Sequence, residues 1–282
     1  MSSVATLLLE QTDSLAKSSP SARTDAQLLL AHVLARPREW LAAHGEAPVS
    51  AEESATFRTL CERRRTGAPV AYLLGSAWFY GREFIVNESV LIPRPETEHL
   101  VDEALRFIRG PMRVLDVGTG CGAIACTIAA ETEARVDATD ASPAAIDLAR
   151  ENARRMGVVE RCRFHVGDLA ESVLRERFDV VVANLPYIPT ADLPRAPESV
   201  AFEPREALDG GADGLELYRR LAHQLPAILN NESLVLLEGA PPTVAGIACL
   251  AREALAGFQV AILHDHAGLA RYVKAAAPHL SG

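Results

Sequence analysis

Residues 113–130 confine the chain to few architectures. Arg113-Val114-Leu115-Asp116-Val117 has the pattern of a covered strand, Gly118-Thr119-Gly120-Cys121-Gly122 follows at once, and Ala123 opens an apolar stretch of helical character. Glycines at alternate positions let the backbone turn tightly and approach a ligand closely. Downstream the pattern recurs. Strands are predicted at 134–139, 163–166, 179–183, 234–237 and 258–263, with helices at 122–130, 143–156, 215–229 and 243–256. Ser142 as cap, Pro143 in the first turn and Gly157 past the end punctuate the helix at 143–156. This alternation implies an α/β fold with a mainly parallel sheet and helices on both faces. Residues 270–273 follow the last of these strands across Asp265-His266-Ala267-Gly268, a spacing that allows a hairpin, so the final strand is predicted antiparallel.

In open α/β sheets, ligands bind outside the carboxyl ends of the strands. Four such ends carry candidate contacts here. The glycine loop satisfies G-x-G-x-x-A with Ala123 in the last place, so by itself it does not separate a nicotinamide or flavin site from an adenosyl-methionine site. Asp140 ends the second strand, where a carboxylate accepts from ribose hydroxyls; Asp137, three residues earlier, is the weaker candidate. Asp168, with Leu169 behind it, ends the third strand, where it would lie beside the adenine of a nucleoside or cap a helix over 169–175. The fourth strand runs into Asn184-Leu185-Pro186-Tyr187. Asn184 offers an acceptor oxygen and two N–H donors, Pro186 forces Leu185 towards an extended conformation that aims its carbonyl, and Tyr187 gives a flat face. Such a set suits a planar –NH2 group; the plainer reading is a strand stopped by proline. Hydride transfer has no use for it, whereas holding an amine in line with a methyl donor does.

The rest of the chain narrows the class. Its 282 residues are 49% hydrophobic and 23% charged, which suits a globular protein with one large domain and a small one. No apolar run approaches the ~18 residues of a membrane span, and no secretory pattern opens the chain. The five cysteines are scattered without a CxxC pair, which points to a reducing, cytoplasmic setting and to no zinc site. His264 and His266 share a strand face, but with only Asp265 beside them no metal is expected. A net charge of −9 speaks against nucleic acid as the direct substrate, because phosphate binding draws on Lys and Arg. Residues 4–75 read as helices with no strand between them: 4–15, 25–34, and one from a Ser50/Glu53 capping box to about Arg65. Arg63-Arg64-Arg65 is read as a solvated last turn in preference to a partner-binding patch. Strand-like segments at 78–80, 84–86 and 90–92 form a predicted β-hairpin region, and Glu96 starts a helix to residue 108.

Several of these stretches together resemble the release factor glutamine N5-methyltransferases, a class I adenosyl-methionine-dependent family. They are residues 67–75 (GAPVAYLLG), 78–81 (WFYG), 90–98 (VLIPRPETE), 118–124 (GTGCGAI), 184–189 (NLPYIP), 203–208 (EPREAL), 210–215 (GGADGL) and 265–271 (DHAGLAR). The resemblance implies a Rossmann-like seven-stranded methyltransferase sheet over 95–282, a helical N-terminal substrate-recognition domain over 1–76, and the hairpin over 77–94 between them. It implies transfer of a methyl group from S-adenosyl-L-methionine to the glutamine of a Gly-Gly-Gln loop in a peptide chain release factor; a monomer is expected. Cofactor contacts are then expected from Gly118, Thr119, Gly120, Cys121, Gly122, Asp140, Asp168, Leu169 and Asn184. Substrate contacts fall to Asn184, Leu185, Pro186 and Tyr187, with Asn184 and Tyr187 in the catalytic role. Two departures stand out. Leu185 replaces the family's usual proline and keeps the backbone carbonyl; Asn-Leu-Pro-Tyr also resembles the motif of RNA adenine N6-methyltransferases, so adenine N6-methylation of RNA or DNA is the alternative activity. Residues 237–243 (LEGAPPT) depart from the family's Leu-Glu-x-Gly-x-x-Gln, so that loop is expected to be rearranged.

Overall fold

The computed structural model describes residues 2–194 and 199–278 and divides the chain into two compact units. The first holds residues up to Ser76 and takes in the described part of 194–202. Its elements are β1 (Ser2–Ser3), α1 (Val4–Leu15), α2 (Ala22–Val33), α3 (Arg38–Ala43), β2 (Pro48–Val49), α4 (Ala51–Arg65) and α5 (Val70–Leu74). Leu7, Leu15, Leu29, Leu30 and Phe57 are among the side chains that meet in its core. Both halves of the Ser50/Glu53 capping box form, with Ser50 Oγ accepting from Glu53 N at 3.2 Å and Glu53 Oε2 from Ser50 N at 2.9 Å.

Two expectations fail in this unit. β1 and β2 pair antiparallel, Ser2 opposite Val49, although no strand was expected; two-residue strands are too short to show a period. Arg64 is not a solvated last-turn residue. It is buried, with Nε on Asp25 Oδ2 at 2.7 Å, Nη2 on Ser19 Oγ at 3.2 Å and Nη1 on Ser199 Oγ at 3.0 Å, so its charge is matched by a buried carboxylate.

The second unit contains most of β3 (Ser76–Phe79), then β4 (Arg82–Ile85), α6 (Thr97–Phe107), β5 (Arg113–Val117), α7 (Ala123–Glu131), β6 (Arg135–Asp140), α8 (Pro143–Arg155), β7 (Cys162–Val166), β8 (Phe178–Ala183), α9 (Glu216–Ile228), β9 (Leu229–Glu238), α10 (Val244–Ala254), β10 (Gln259–His264) and β11 (Ala270–Ala276). β3 and β4 pair across Tyr80-Gly81 as the expected hairpin. The third segment, 90–92, is not a strand. Val90 N closes a turn on Asn87 O, and Ile92 N donates to the Glu203 carboxylate at 3.0 Å, so these donors are not offered to a ladder.

Seven strands form one sheet in the order β10-β11-β9-β8-β5-β6-β7. β5 runs parallel to β6 and β8, β6 to β7, and β8 to β9, while β11 is antiparallel to both β9 and β10. The register sets Val117 beside both Thr139 and Ala183, and Asp140 beside Val166, so the carboxyl ends of four strands finish on one edge. β9 extends well before residue 234, with a register irregularity opposite between Phe178 and Val180. Val180 to Ala183 are wholly buried, as a strand covered on both faces demands.

Candidate active site

The loop after β5 is pinned from three sides. Gly118 N and Thr119 N both donate to Thr139 O at 2.9 Å, and Gly120 N donates to Asp140 Oδ2 at 2.8 Å. The Thr119 hydroxyl donates to Asp116 Oδ2 at 2.6 Å, and Ala125 N donates to the same oxygen at 3.1 Å. Burial pushes the Asp116 carboxyl up to about 7 against those two bonds. Gly120, at φ +55°, lines two clefts, and a Cβ there would point into open space, which leaves the backbone accessible to a ligand. Gly122, at φ +83°, serves a different end. A Cβ there would stand 3.1 Å from Ala149 Cβ, so this glycine permits α7 to approach α8 and lines neither cleft.

The larger cleft, of about 150 Å³, brings Gly118, Gly120, Asp140, Asp168, Leu169, Asn184, Leu185 and Pro186 together. The smaller, of about 50 Å³, is lined by Thr119 and Cys121 with Arg94 and Thr97, and shares Leu91, Gly118, Gly120 and Asn184 with the first. Asp140 does more than face the cleft. Its Oδ1 accepts from Ser142 N at 2.9 Å, so one carboxylate ties the glycine loop to the start of α8. Burial raises its pKa, opposed by those two N–H groups. Asp168 pairs with Arg220. It does not act as a side-chain cap: the turn Glu171–Val173 starts with Glu171 N on the backbone oxygen of Asp168. Leu169 is buried at φ +51°, a conformation that costs an L residue energy and is held where the cleft wall needs it.

Asn184 stands where the two clefts meet. Its Nδ2 donates to Thr97 Oγ1 at 3.1 Å, and Oδ1 has no hydrogen-bond partner among the described residues. Leu185 is buried, and its N–H donates to the Tyr218 hydroxyl at 3.0 Å. The Tyr218 hydrogen goes to the Glu238 backbone oxygen, with Leu185 O a longer 3.3 Å away. Tyr187 is half-buried against the core and lines neither cleft; burial, then the nearby Glu238 carboxylate, raises its hydroxyl to about 12. Behind this turn, Ile188 N donates to Leu208 O and Gly210 N to Ile188 O. A Cβ on Gly210 would come within 2.8 Å of Pro186 O, and one on Gly214 within 2.4 Å of Tyr187 O. The glycines of 210–214 therefore let a second loop back the turn at van der Waals distance.

A family model described as the PrmC N-terminal domain matches residues 6–75, and one described as a methyltransferase domain matches 114–201. The release factor glutamine methyltransferase of Bacillus subtilis (strain 168) is 37% identical over 258 residues, covering 88% of this chain and 89% of its own. That of Xylella fastidiosa (strain Temecula1) is 44% identical over 219 residues, covering 77% and 79%. The chain belongs to the release factor glutamine methyltransferase family. Among solved structures, a methyltransferase from Pyrococcus furiosus superposes with a TM-score of 0.54 at 20% identity, over 70% of this chain and 90% of that one, and shares the fold.

As a methyltransferase of this family, the chain carries site residues that the sequence reading did not single out. Thr97, in the first turn of α6, holds Asn184; its signal was its place in the 90–98 stretch. Glu203 is buried and clamps Arg94 Nη2 at 2.5 Å as well as Ile92 N, which fixes the segment that lines both clefts. Glu238, the last residue of β9, is buried with Oε2 unpartnered among the described residues, and burial pushes its carboxyl up to about 7. The loop after it is a compact turn: Gly239 N donates to Arg271 O at 2.7 Å, and Ala240 N to Thr243 Oγ1 at 3.2 Å. No helix among the described residues is long and apolar enough to cross a membrane.

Proposed function

We propose that this protein, acting as a monomer, transfers the methyl group of S-adenosyl-L-methionine to the N5 amide nitrogen of the glutamine in the Gly-Gly-Gln loop of a peptide chain release factor. The observation that carries the reading is Asn184 at the junction of the two clefts, with Nδ2 engaged by Thr97 and Oδ1 left to accept. Family membership favours glutamine over adenine as the acceptor. Residues 1–76 would supply the surface that recognises the protein substrate, in keeping with the family model matched there.

The residues present fit the cofactor. Gly120 offers open backbone at positive φ, Asp140 keeps acceptor capacity beyond its two N–H bonds, and Leu169 is held in a strained conformation against the same cleft. Gly118, Gly120, Asp140, Asp168 and Leu169 would hold it, with Thr119 and Cys121 towards the smaller cleft. When bound, it supplies a methyl group on a positively charged sulfur that leaves without acid assistance.

An amide nitrogen is a weak nucleophile because its lone pair is delocalised, so the protein's task is positional. Asn184 Oδ1 and the Leu185 carbonyl would accept the two N–H bonds of the substrate amide, and Tyr187, which lines neither cleft, would turn its aromatic face to it when substrate binds. Orientation of this kind lowers barriers by ~7–11 kcal/mol in favourable cases. The test is mass spectrometry of a release factor incubated with the protein and S-adenosyl-methionine. One added methyl on the glutamine of the Gly-Gly-Gln peptide is the expected result. Methyladenine formed in RNA or DNA, with the release factor unmodified, would overturn the assignment.

A further inference from the structure

An asparagine amide can present either its oxygen or its nitrogen to a cleft, and only the oxygen can accept from a substrate –NH2. Something has to choose. Asn184 Nδ2 donates to Thr97 Oγ1 at 3.1 Å, and a hydroxyl carries a single hydrogen, so the Thr97 hydrogen must point elsewhere. The acceptor at hand is the Glu238 carboxylate: it is buried, its Oε2 has no hydrogen-bond partner among the described residues, and the Thr97 hydroxyl favours its ionised form. Thr97 and Glu238 are both buried, at 4% and 1% exposure, so solvent has little access to either partner.

We propose that Glu238, acting through Thr97, is the positioning residue that sets the Asn184 amide with Oδ1 towards the substrate. The proposal rests on the reading that Asn184 accepts from the substrate amide. Its logic is one of polarity. An ionised Glu238 can only accept, so Thr97 donates to it and accepts from Asn184. A neutral carboxyl at 238 can donate to Thr97 instead. The freed hydroxyl hydrogen then suits Asn184 Oδ1, the amide turns over, and two donors face the substrate's two donors.

The groups facing Glu238 make this polarity sensitive to pH. Arg271 on β11, and Arg94 and Glu96 before α6, are the charged neighbours; Tyr187, Tyr218 and Tyr272 are the uncharged ones. Arg271 is engaged by Asp265 at 2.7 Å and Arg94 by Glu203 at 2.5 Å, which leaves neither dedicated to Glu238. Burial outweighs these charges and brings the carboxyl up to about 7. In the free enzyme Glu238 therefore loses its proton as pH rises through neutrality, and kcat/KM should rise with it and level off above.

The experiment is methylation of an intact release factor at saturating S-adenosyl-methionine, from about pH 5.5 to 8.5, by wild type, Thr97→Val, Thr97→Ser, Glu238→Gln and Asn184→Ala, with kcat and kcat/KM read for each. Cofactor affinity and Tm are measured on the same samples. Thr97→Val and Glu238→Gln should slow kcat on the order of 10- to 100-fold while cofactor affinity stays within about twofold. Thr97→Ser should recover most of the loss, and Glu238→Gln should lose the acidic limb of kcat/KM. If both slow variants keep near wild-type rates while Asn184→Ala is inactive, the relay is wrong and the Asn184 reading stands. An active Asn184→Ala removes both. Losses that track equal losses of cofactor affinity or Tm, or an acidic limb that survives in Glu238→Gln, also overturn the proposal. Should Glu238→Gln fail to fold, the Thr97 pair decides, and equal rates for Val and Ser would reject it.

Discussion

Asp137 and Asp140 lie three residues apart on β6, yet the fold uses them in opposite ways. Asp137 is buried and lines neither cleft, with Oδ1 on His165 Nε2 at 2.8 Å and Oδ2 on Arg113 Nη2 at 2.9 Å. Burial pushes its pKa up, but His165 and Arg113 outweigh burial, and the carboxyl sits below its ordinary value. Asp140, at the carboxyl end of the strand, has only two backbone N–H groups, and burial wins. One carboxylate is saturated and structural; the other is under-neutralised and faces a cleft. The same contrast separates the two edges of the sheet. Asp179, at the opposite end of β8 from Asn184, is held by Arg113 N at 2.7 Å and Asn230 Nδ2 at 2.6 Å, whereas Asn184 and Glu238 keep an oxygen unpartnered among the described residues.

The sharpest way to break this contrast is Asn184→Ala, which removes the acceptor at the junction. Single-turnover methylation at saturating cofactor should fall on the order of 100-fold or more. A rate close to wild type would place the amide-receiving group elsewhere. Next, Asp140→Ala should weaken S-adenosyl-methionine binding by roughly 1.5–3 kcal/mol, the worth of a charge-assisted hydrogen bond, measured by calorimetry. Asp137→Asn should leave that affinity unchanged and instead destabilise the fold by about 1–3 kcal/mol in urea unfolding. If the two aspartates exchanged these phenotypes, the division of the sheet edges would be wrong.

Leu185→Pro is a smaller effect. It keeps the carbonyl offered to the substrate but deletes the N–H that donates to Tyr218, so stability should drop by ~1 kcal/mol in urea unfolding with turnover largely retained. The smallest is a pH dependence. Glu238 titrates near 7 in the folded state against 4.5 ordinarily, so the folded state binds the extra proton between those values. The stability it contributes is complete below the lower value and is lost as pH rises through the upper one. Glu238→Gln should therefore flatten the fall of Tm between about pH 5 and 8, and an unchanged slope would assign that fall to Asp116, which titrates in the same range.

Much of this architecture is legible in the sequence because it is local. Period-two and period-3.6 patterns, the Gly118–Gly122 turn, Pro143 after Ser142, and the Ser50/Glu53 box each act within a few residues, so the order of strands and helices and the loops carrying Gly118, Asp140, Asp168 and Asn184 can be read from neighbours alone. What chain order could not supply is partner choice between distant residues. Ile92 leaves the strand pattern because its N–H meets Glu203, and Arg64 leaves the surface because Asp25 and Ser19 receive it. Thr97 finds Asn184, 87 positions along the chain. A buried polar group must be paired, but its type states only that a partner is needed; packing of the whole chain decides which one arrives, and with it which oxygens remain free at the working edge.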